Sequence, residues 1–236
     1  MSSNGAMSQF QTKNPSSPMA AGPSSGGRVY AGQSPQARQA QRRRQFLLAG
    51  LEVFGTQGFR HATVRGLCRQ AQLTDRYFYQ EFGSVEGLLQ AVYCYCMDDI
   101  RSRLLDALQG AEAGADMQRL VDRALTVFFT ALEDPRVARV CMLELEGVSS
   151  DSDTLYLGYI RLFANLLISV ARTVHPHWQL NDDEAELLGT GLAGAMRQMS
   201  TSWLKGGYSL SRSTLVNNGS RIIMGLVGQL QSEAGS

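Results

Sequence analysis

The sequence predicts an all-α protein, and three observations carry that prediction. Apolar residues recur at three- and four-residue spacing over most of the chain beyond Ser34. No strand-like alternation persists anywhere, and Gly, Pro and Asp interrupt the pattern at intervals of about one helix length. With 236 residues, 44% of them hydrophobic and 18% charged, the chain can bury a substantial core and has an ordinary soluble composition. By eye no apolar run approaches the length needed to cross a bilayer, and the N-terminus holds no signal core, so a cytoplasmic location is expected and no membrane. The four cysteines, Cys68, Cys94, Cys96 and Cys141, lie inside apolar helical patterns rather than in a disulfide framework, which predicts free thiols.

Residues 1–33 are rich in Ser, Gly, Pro, Gln and Asn without apolar periodicity, and read as a disordered tail. A first helix is expected from Ser34, a cap, and Pro35, which suits the first helical position because its missing N–H is not needed there. Its inward face carries Phe46, Leu47, Gly50, Val53 and Phe54, and Gly58 stops it. "TVRGLCRQAQL" predicts a short second helix capped by Thr63, with Val64, Leu67 and Cys68 inward. About three residues later Thr74 caps a third, "DRYFYQEF". Two short helices joined by so tight a turn make a helix-turn-helix, whose second helix enters the major groove of DNA.

Beyond Gly83 longer amphipathic helices are expected near residues 84–109, 116–133, 136–147, 152–175, 181–205 and 211–231. Gly110 and Gly114, the Asp134-Pro135 pair, "GVSSDSD", "HPHW" and "KGGYSLS" separate them. The expected division is a tail over 1–33, a helix-turn-helix DNA-binding domain over 34–83, and an effector-binding and dimerisation domain over 84–236.

Charge divides the chain at the same place. Ten Lys or Arg stand against three acids between Met1 and Phe82, a net +7 in a chain whose total is +1, so the remainder carries −6. A basic head on an acidic body implies that only the head meets a polyanion.

On a helical wheel Phe78 and Phe82 fall on one side of the third helix with Thr74, while Arg76, Tyr77, Tyr79 and Gln80 take the opposite arc. The phenylalanines then anchor the helix, and the other arc offers groups that contact DNA. Gln pairs bidentately with adenine, Arg with guanine or phosphate, and a Tyr hydroxyl with phosphate. The bland alternative is a solvated face of a short helix.

From Arg42 to Leu89 the chain resembles the DNA-binding domain of the TetR (tetracycline-repressor) family. Phe54, Gly58, Phe59, Thr63, Leu67, Ala71, Tyr79 and Phe82 fall at matching positions. The resemblance implies DNA contacts from Arg65, Arg76, Tyr77, Tyr79 and Gln80, with Thr63 near phosphate and Thr74 at the start of the recognition helix. The sequence departs from that pattern in three places. Gln72 replaces a turn glycine, Glu81 stands where His is frequent, and Val85 replaces a phosphate-binding Lys. Arg38, Arg42, Arg43 and Arg44 on an extended first helix, with Arg28 from the tail, are candidates to compensate by contacting phosphates; a solvated charge run is the alternative.

The same resemblance implies a homodimer that holds two heads about 34–36 Å apart, or a multiple of that. The expected seam uses Leu192, Met196, Met199 and Trp203 from one helix and Ile223, Leu226, Val227 and Leu230 from the last, with Gly191 and Gly194 allowing close approach. Both stripes could instead bury within one subunit. An effector pocket between the middle helices would be lined by Tyr93, Met97, Phe128, Phe129, Met142, Tyr156, Tyr159 and Phe163, suiting an apolar or aromatic small molecule. Ordinary core packing is the competing reading for each. Glu144 and Asn165 are polar groups in apolar helices that could orient a ligand. No phosphate loop, nucleophile elbow or spaced metal-ligand set occurs, so neither an enzyme nor a cofactor or metal is expected. The reading that results is a transcriptional regulator of palindromic operator DNA, a repressor released by its effector. An activator of the same fold, or a helical adaptor whose basic head binds a protein or anionic membrane surface, is the alternative.

Overall fold

The computed structural model of the protein describes residues 34–178 and 180–234. The tail over 1–33, with Arg28, lies outside the described residues. Among those described, nine α-helices and no strand are found. Three helices, the long α1 (Pro35–Thr56) and the short α2 (Val64–Ala71) and α3 (Asp75–Phe82), form a head. Longer helices follow: α4 (Val85–Ala107), α5 (Met117–Ala131), the brief α6 (Pro135–Arg139) continuing into a π-helical turn over Val140–Glu144, then α7 (Ser150–Val174), α8 (Asp182–Lys205) and α9 (Arg212–Ala234).

The helix starts are written in short polar side chains, each accepting from a backbone N–H that the helix leaves unpaired. Ser34 accepts from Ala37, Thr63 from Gly66, Ser84 from Gly87, Asp116 from Arg119 and Ser149 from Ser152, all at 2.9–3.1 Å. Asn181 and Glu184 form a reciprocal capping box on α8. Thr74 departs from this pattern: its backbone is extended as a cap requires, but its side chain makes no capping bond. At the turn between α2 and α3, Gln72 is left-handed, φ 56° and ψ 37°, as the replaced glycine demands. Two helical glycines sit against backbone: a Cβ at Gly87 would lie 2.2 Å from the Phe82 carbonyl oxygen, and one at Gly55 would lie 2.6 Å from the Arg136 Cα.

The head closes on aromatic contacts. Phe46 on α1 meets Phe78 and Phe82 edge-on at 5.6 and 5.7 Å, and Phe46, Phe54, Leu67 and Phe78 have no exposed surface. Helix α1 also packs on α4 and α6, so the head is continuous with the body rather than hinged at a linker. In the body α7 pairs with α8 and α5 with α9.

One expectation needs correcting here. Helix α7, 25 residues from Ser150 to Val174, is long and apolar enough to cross a membrane by length and composition. Its apolarity has a local use: Tyr156, Ile160, Phe163, Leu166 and Leu167 line a cavity, and the helix packs along α8. The four thiols are free.

Candidate DNA-reading surface and effector cavity

Helix α3 presents Asp75, Arg76, Tyr79 and Gln80 outward, all exposed, with Tyr79 at 56%. Thr63, Arg65, Thr74 and Arg69 are exposed on the same part of the head. Tyr77 does not join this edge. It is half-buried against the head core, and the Arg42 guanidinium lies 4.5 Å from its ring centre. The helical wheel places it outward, but the third helix is short and α1 extends far enough to cover it. Asp75 is the unforeseen group on the edge; its Oδ1 accepts from the Arg76 N–H at 2.9 Å.

The α1 arginines divide by contact. Arg42 is committed to Tyr77, and its Nε is shut off from solvent without a partner. Arg43 lies over the Phe82 ring at 5.1 Å and 3.8 Å from Glu81, which also accepts from Gln39 at 2.8 Å. Arg38 and Arg44 are exposed, so these two are the phosphate candidates of the run. Glu81, where a histidine is frequent in the resembled family, thus ties α3 to α1.

The body holds an apolar cavity of about 150 Å³. Six of the expected lining residues border it: Tyr93, Met97, Phe128, Met142, Tyr156 and Phe163. Phe129 and Tyr159 do not. Phe129 is wholly buried behind Phe128 against Trp203, and Tyr159 packs edge-on to Tyr93 while its hydroxyl donates to Asp98 at 2.8 Å. Burial pushes the Tyr93 and Tyr159 hydroxyls far above the ordinary tyrosine range, so both stay protonated. The lining from α4 runs from Tyr93 to Leu104, which at the helical rise spans roughly 16 Å.

The stripes expected to form a dimer seam face their own subunit instead. Leu192, Met196, Ile223, Leu226, Val227 and Leu230 border the cavity. Met199 is half-buried against the core, and Trp203 is buried, its indole N–H donating to the Leu210 carbonyl at 2.8 Å. The large apolar side chains of α8 and α9 are needed to close the cavity wall. Their outer faces carry small residues: a Cβ at Gly191, Gly194, Gly225 or Gly228 would meet nothing within 4 Å. Leu187 and Ile222 on those faces are 74% and 43% exposed.

One charged residue borders the cavity. Arg197 on α8 lies 5.0 Å over the Tyr156 ring, donates to the Met142 carbonyl at 3.2 Å, and pairs with Glu146. Its Nε is shut off from solvent and bonds to nothing. An unpaired buried donor costs about 1–3 kcal/mol, and this one belongs to a residue of the cavity lining. The signal was present in the sequence as a lone Arg within "LAGAMRQM", but nothing there fixed which way it turned.

Glu144 is not a ligand group either. It sits at the end of the π-helical turn, where Oε2 accepts the Phe59 N–H at 2.7 Å and Oε1 accepts from Arg139 at 2.6 Å. Arg139 also donates to the Thr56 carbonyl at 2.9 Å. Beside it Arg136 bridges Asp134 and, at 2.8 Å, Glu52 of α1; its hydrogen bonds hold the Asp134 carboxyl below the ordinary carboxylate range. Cys141 and Met142, earlier in the same turn, border the cavity. A single turn thus touches the cavity on one side and grips the head on the other. Asn165 is exposed on α7 and is no cavity group.

The arrangement is a helix-turn-helix head packed against a helical body that holds an apolar cavity. Residues 46–92, the greater part of the head and the start of α4, match the model of the family described as bacterial regulatory proteins, tetR family. Curated proteins gave no match to the sequence. Solved structures share the whole fold. The fatty acid degradation regulator FadR from Bacillus halodurans matches with a TM-score of 0.68 at 16% identity, over 82% of this chain and 97% of that one. FadR from Bacillus subtilis, solved in complex with stearoyl-CoA, matches with a TM-score of 0.65 at 16% identity, over 76% and 96%. A TetR-like regulator from Rhodococcus sp. RHA1 matches with 0.56 at 18% identity, over 79% and 96%.

Proposed function

We propose that the protein is a cytoplasmic, homodimeric repressor that binds palindromic operator DNA through residues 34–83 and is released by an apolar, chain-like effector of fatty-acyl type bound within residues 84–236. The observation that carries this reading is the apolar cavity behind a head whose exposed edge, Arg76, Tyr79 and Gln80, is built of groups of the kind that contact bases and phosphates. Arg65 and Thr63 on the α2 side, with Arg38 and Arg44 from α1, supply backbone contacts, which position the head without reading sequence. The B. subtilis neighbour solved with stearoyl-CoA supports a long acyl chain as the effector class, and the lining of this cavity suits one because it offers little to hydrogen-bond. Dimerisation is assigned to the small-residue outer faces of α8 and α9 around Gly191, Gly194, Gly225 and Gly228, where backbones can approach closely.

Effector binding has a physical route to the head through the turn that carries Met142 at the cavity and Glu144 at the Phe59 N–H. A ligand that prefers one setting of this turn shifts the spacing of the two heads, and operator affinity falls by the difference in its affinity for the two states. The test is a gel shift of the full chain on DNA from upstream of its own coding region, with and without palmitoyl-coenzyme A. A sequence-specific complex at moderate salt that dissolves on adding the ligand is expected. No specific complex removes the regulator reading, and a complex tightened by the ligand replaces repressor with co-repressed or activating behaviour.

A further inference from the structure

Arg197 has more donors than the protein uses. Its Nη2 serves both Glu146 and the Met142 carbonyl, while Nε, which lies on the same edge of the guanidinium, is buried and unpaired. That edge is the fork that a carboxylate engages with two parallel bonds. Glu146 is a poor permanent occupant of the fork, being more than half exposed and bonded through one nitrogen alone. Arg197 is also the charged residue of an otherwise apolar wall.

Glu146 borders a second space, a polar cleft of about 400 Å³ beside the Gly58–Phe59 turn of the head, lined also by Arg60, His61 and Arg139. The Arg197–Glu146 pair therefore stands between an apolar cavity and a polar cleft.

We propose that Arg197 is the anchor for the carboxylate of a long-chain fatty acid whose tail enters the partly open apolar cavity, and that the carboxylate binds by displacing Glu146 from the guanidinium fork. The proposal rests on the fatty-acyl reading of the cavity given above and adds the headgroup. It also supplies the ligand with a grip on the head. Taking Arg197 releases Glu146 and loosens the bond to the Met142 carbonyl, both on the segment whose Glu144 holds Phe59. A neutral chain of the same length enters the cavity without breaking that pair.

The experiment is calorimetric titration of the full chain with three probes of equal chain length: palmitate, hexadecanol and palmitoyl-coenzyme A. Palmitate is expected to bind the wild-type chain at least about tenfold tighter than hexadecanol, the scale of a charged hydrogen bond. Arg197→Met should erase that preference, bringing the ratio of palmitate to hexadecanol affinity to about one. Glu146→Gln, which removes the competitor and leaves the anchor, should strengthen palmitate binding several-fold; this surface change also covers the case in which the Arg197 variant misfolds. Equal binding of palmitate and hexadecanol overturns the anchor while leaving the cavity reading intact, as does a palmitate preference retained in Arg197→Met. Binding of palmitoyl-coenzyme A without palmitate assigns the site to a thioester and also overturns it. If no chain compound binds, the cavity reading itself fails and the anchor with it.

Discussion

The head and the body are built from the same material to opposite ends. Both are amphipathic helices with aromatic and aliphatic stripes, yet in the head those stripes meet and fill the interior, with Phe46, Phe78 and Phe82 in mutual edge contact. In the body Tyr93, Met97, Phe128 and Phe163 face one another across an open cavity. Native cores are packed to the density of organic crystals, so an unfilled apolar space is the exception that points to a ligand. A small domain that must hold a reading edge still cannot tolerate voids. A sensing domain needs one. The two meet where α1 packs on α4 and α6, and polar contacts add to that packing: Arg136 pairs with Glu52, Arg139 donates to the Thr56 carbonyl, and Glu144 accepts the Phe59 N–H.

The comparison can be broken most strongly in the head. Phe78→Ala removes a fully buried ring from a filled core, and should cost about 3–5 kcal/mol in a urea or thermal unfolding curve. A loss under 1 kcal/mol, on the order of a surface change, would mean the head is not close-packed. At the joint, Glu144→Ala leaves the Phe59 N–H and Arg139 without their acceptor. A cost of about 1.5–3 kcal/mol is expected, with faster hydrogen exchange at the Phe59 amide; unchanged protection there would remove the clasp. On the reading edge, Gln80→Ala should leave stability unchanged and relax base preference at one operator position by about 1–3 kcal/mol, as measured by binding to a set of singly substituted operators. A uniform loss over all of them would make Gln80 a phosphate contact.

A smaller effect is expected from acid at the joint. The Asp134 carboxyl has its folded pKa lowered, chiefly by the hydrogen bond from Arg136, so its contribution is fully present above the ordinary value of 3.8 and is lost as pH falls through the lower folded value. Asp134→Asn keeps a capping oxygen but not the charge. It should destabilise within about 1 kcal/mol at neutral pH, the pair being partly exposed, and by nothing once Asp134 itself is protonated. A pH-independent difference would assign the effect to the cap. The smallest change is Gln72→Gly. It relieves a left-handed backbone at φ 56° but loosens the unfolded chain, for a net gain of about 0.5 kcal/mol in thermal unfolding.

Helix existence and order were legible because they depend on local chemistry. Ser34 and Thr63 cap as expected while Thr74 makes no side-chain capping bond, and Phe78 and Phe82 sit on one side of α3 by periodicity alone. Less legible was any question of which neighbour a side chain meets. Tyr77 belongs to the outward arc by angle, yet α1 brings Arg42 across its face. Glu144 and Arg197 are both isolated charges among apolar residues in the sequence; one holds the head and the other borders the cavity. The stripes of α8 and α9 predict an apolar partner without saying which, and the partner for Met196, Trp203, Ile223 and Val227 is the same subunit.

By itself, the sequence determined the helical class, the caps Ser34 and Thr63, the basic head and the edge Arg76, Tyr79 and Gln80, because periodicity and composition act within one or two turns of chain. Only the tertiary structure decided that the body's stripes stop short of filling their own interior, that Arg197 has an idle N–H at that space, and that the Pro135–Glu144 turn reaches both it and the head. These depend on contacts between residues far apart in the chain, and a helical period says which face is apolar but not what stands opposite it.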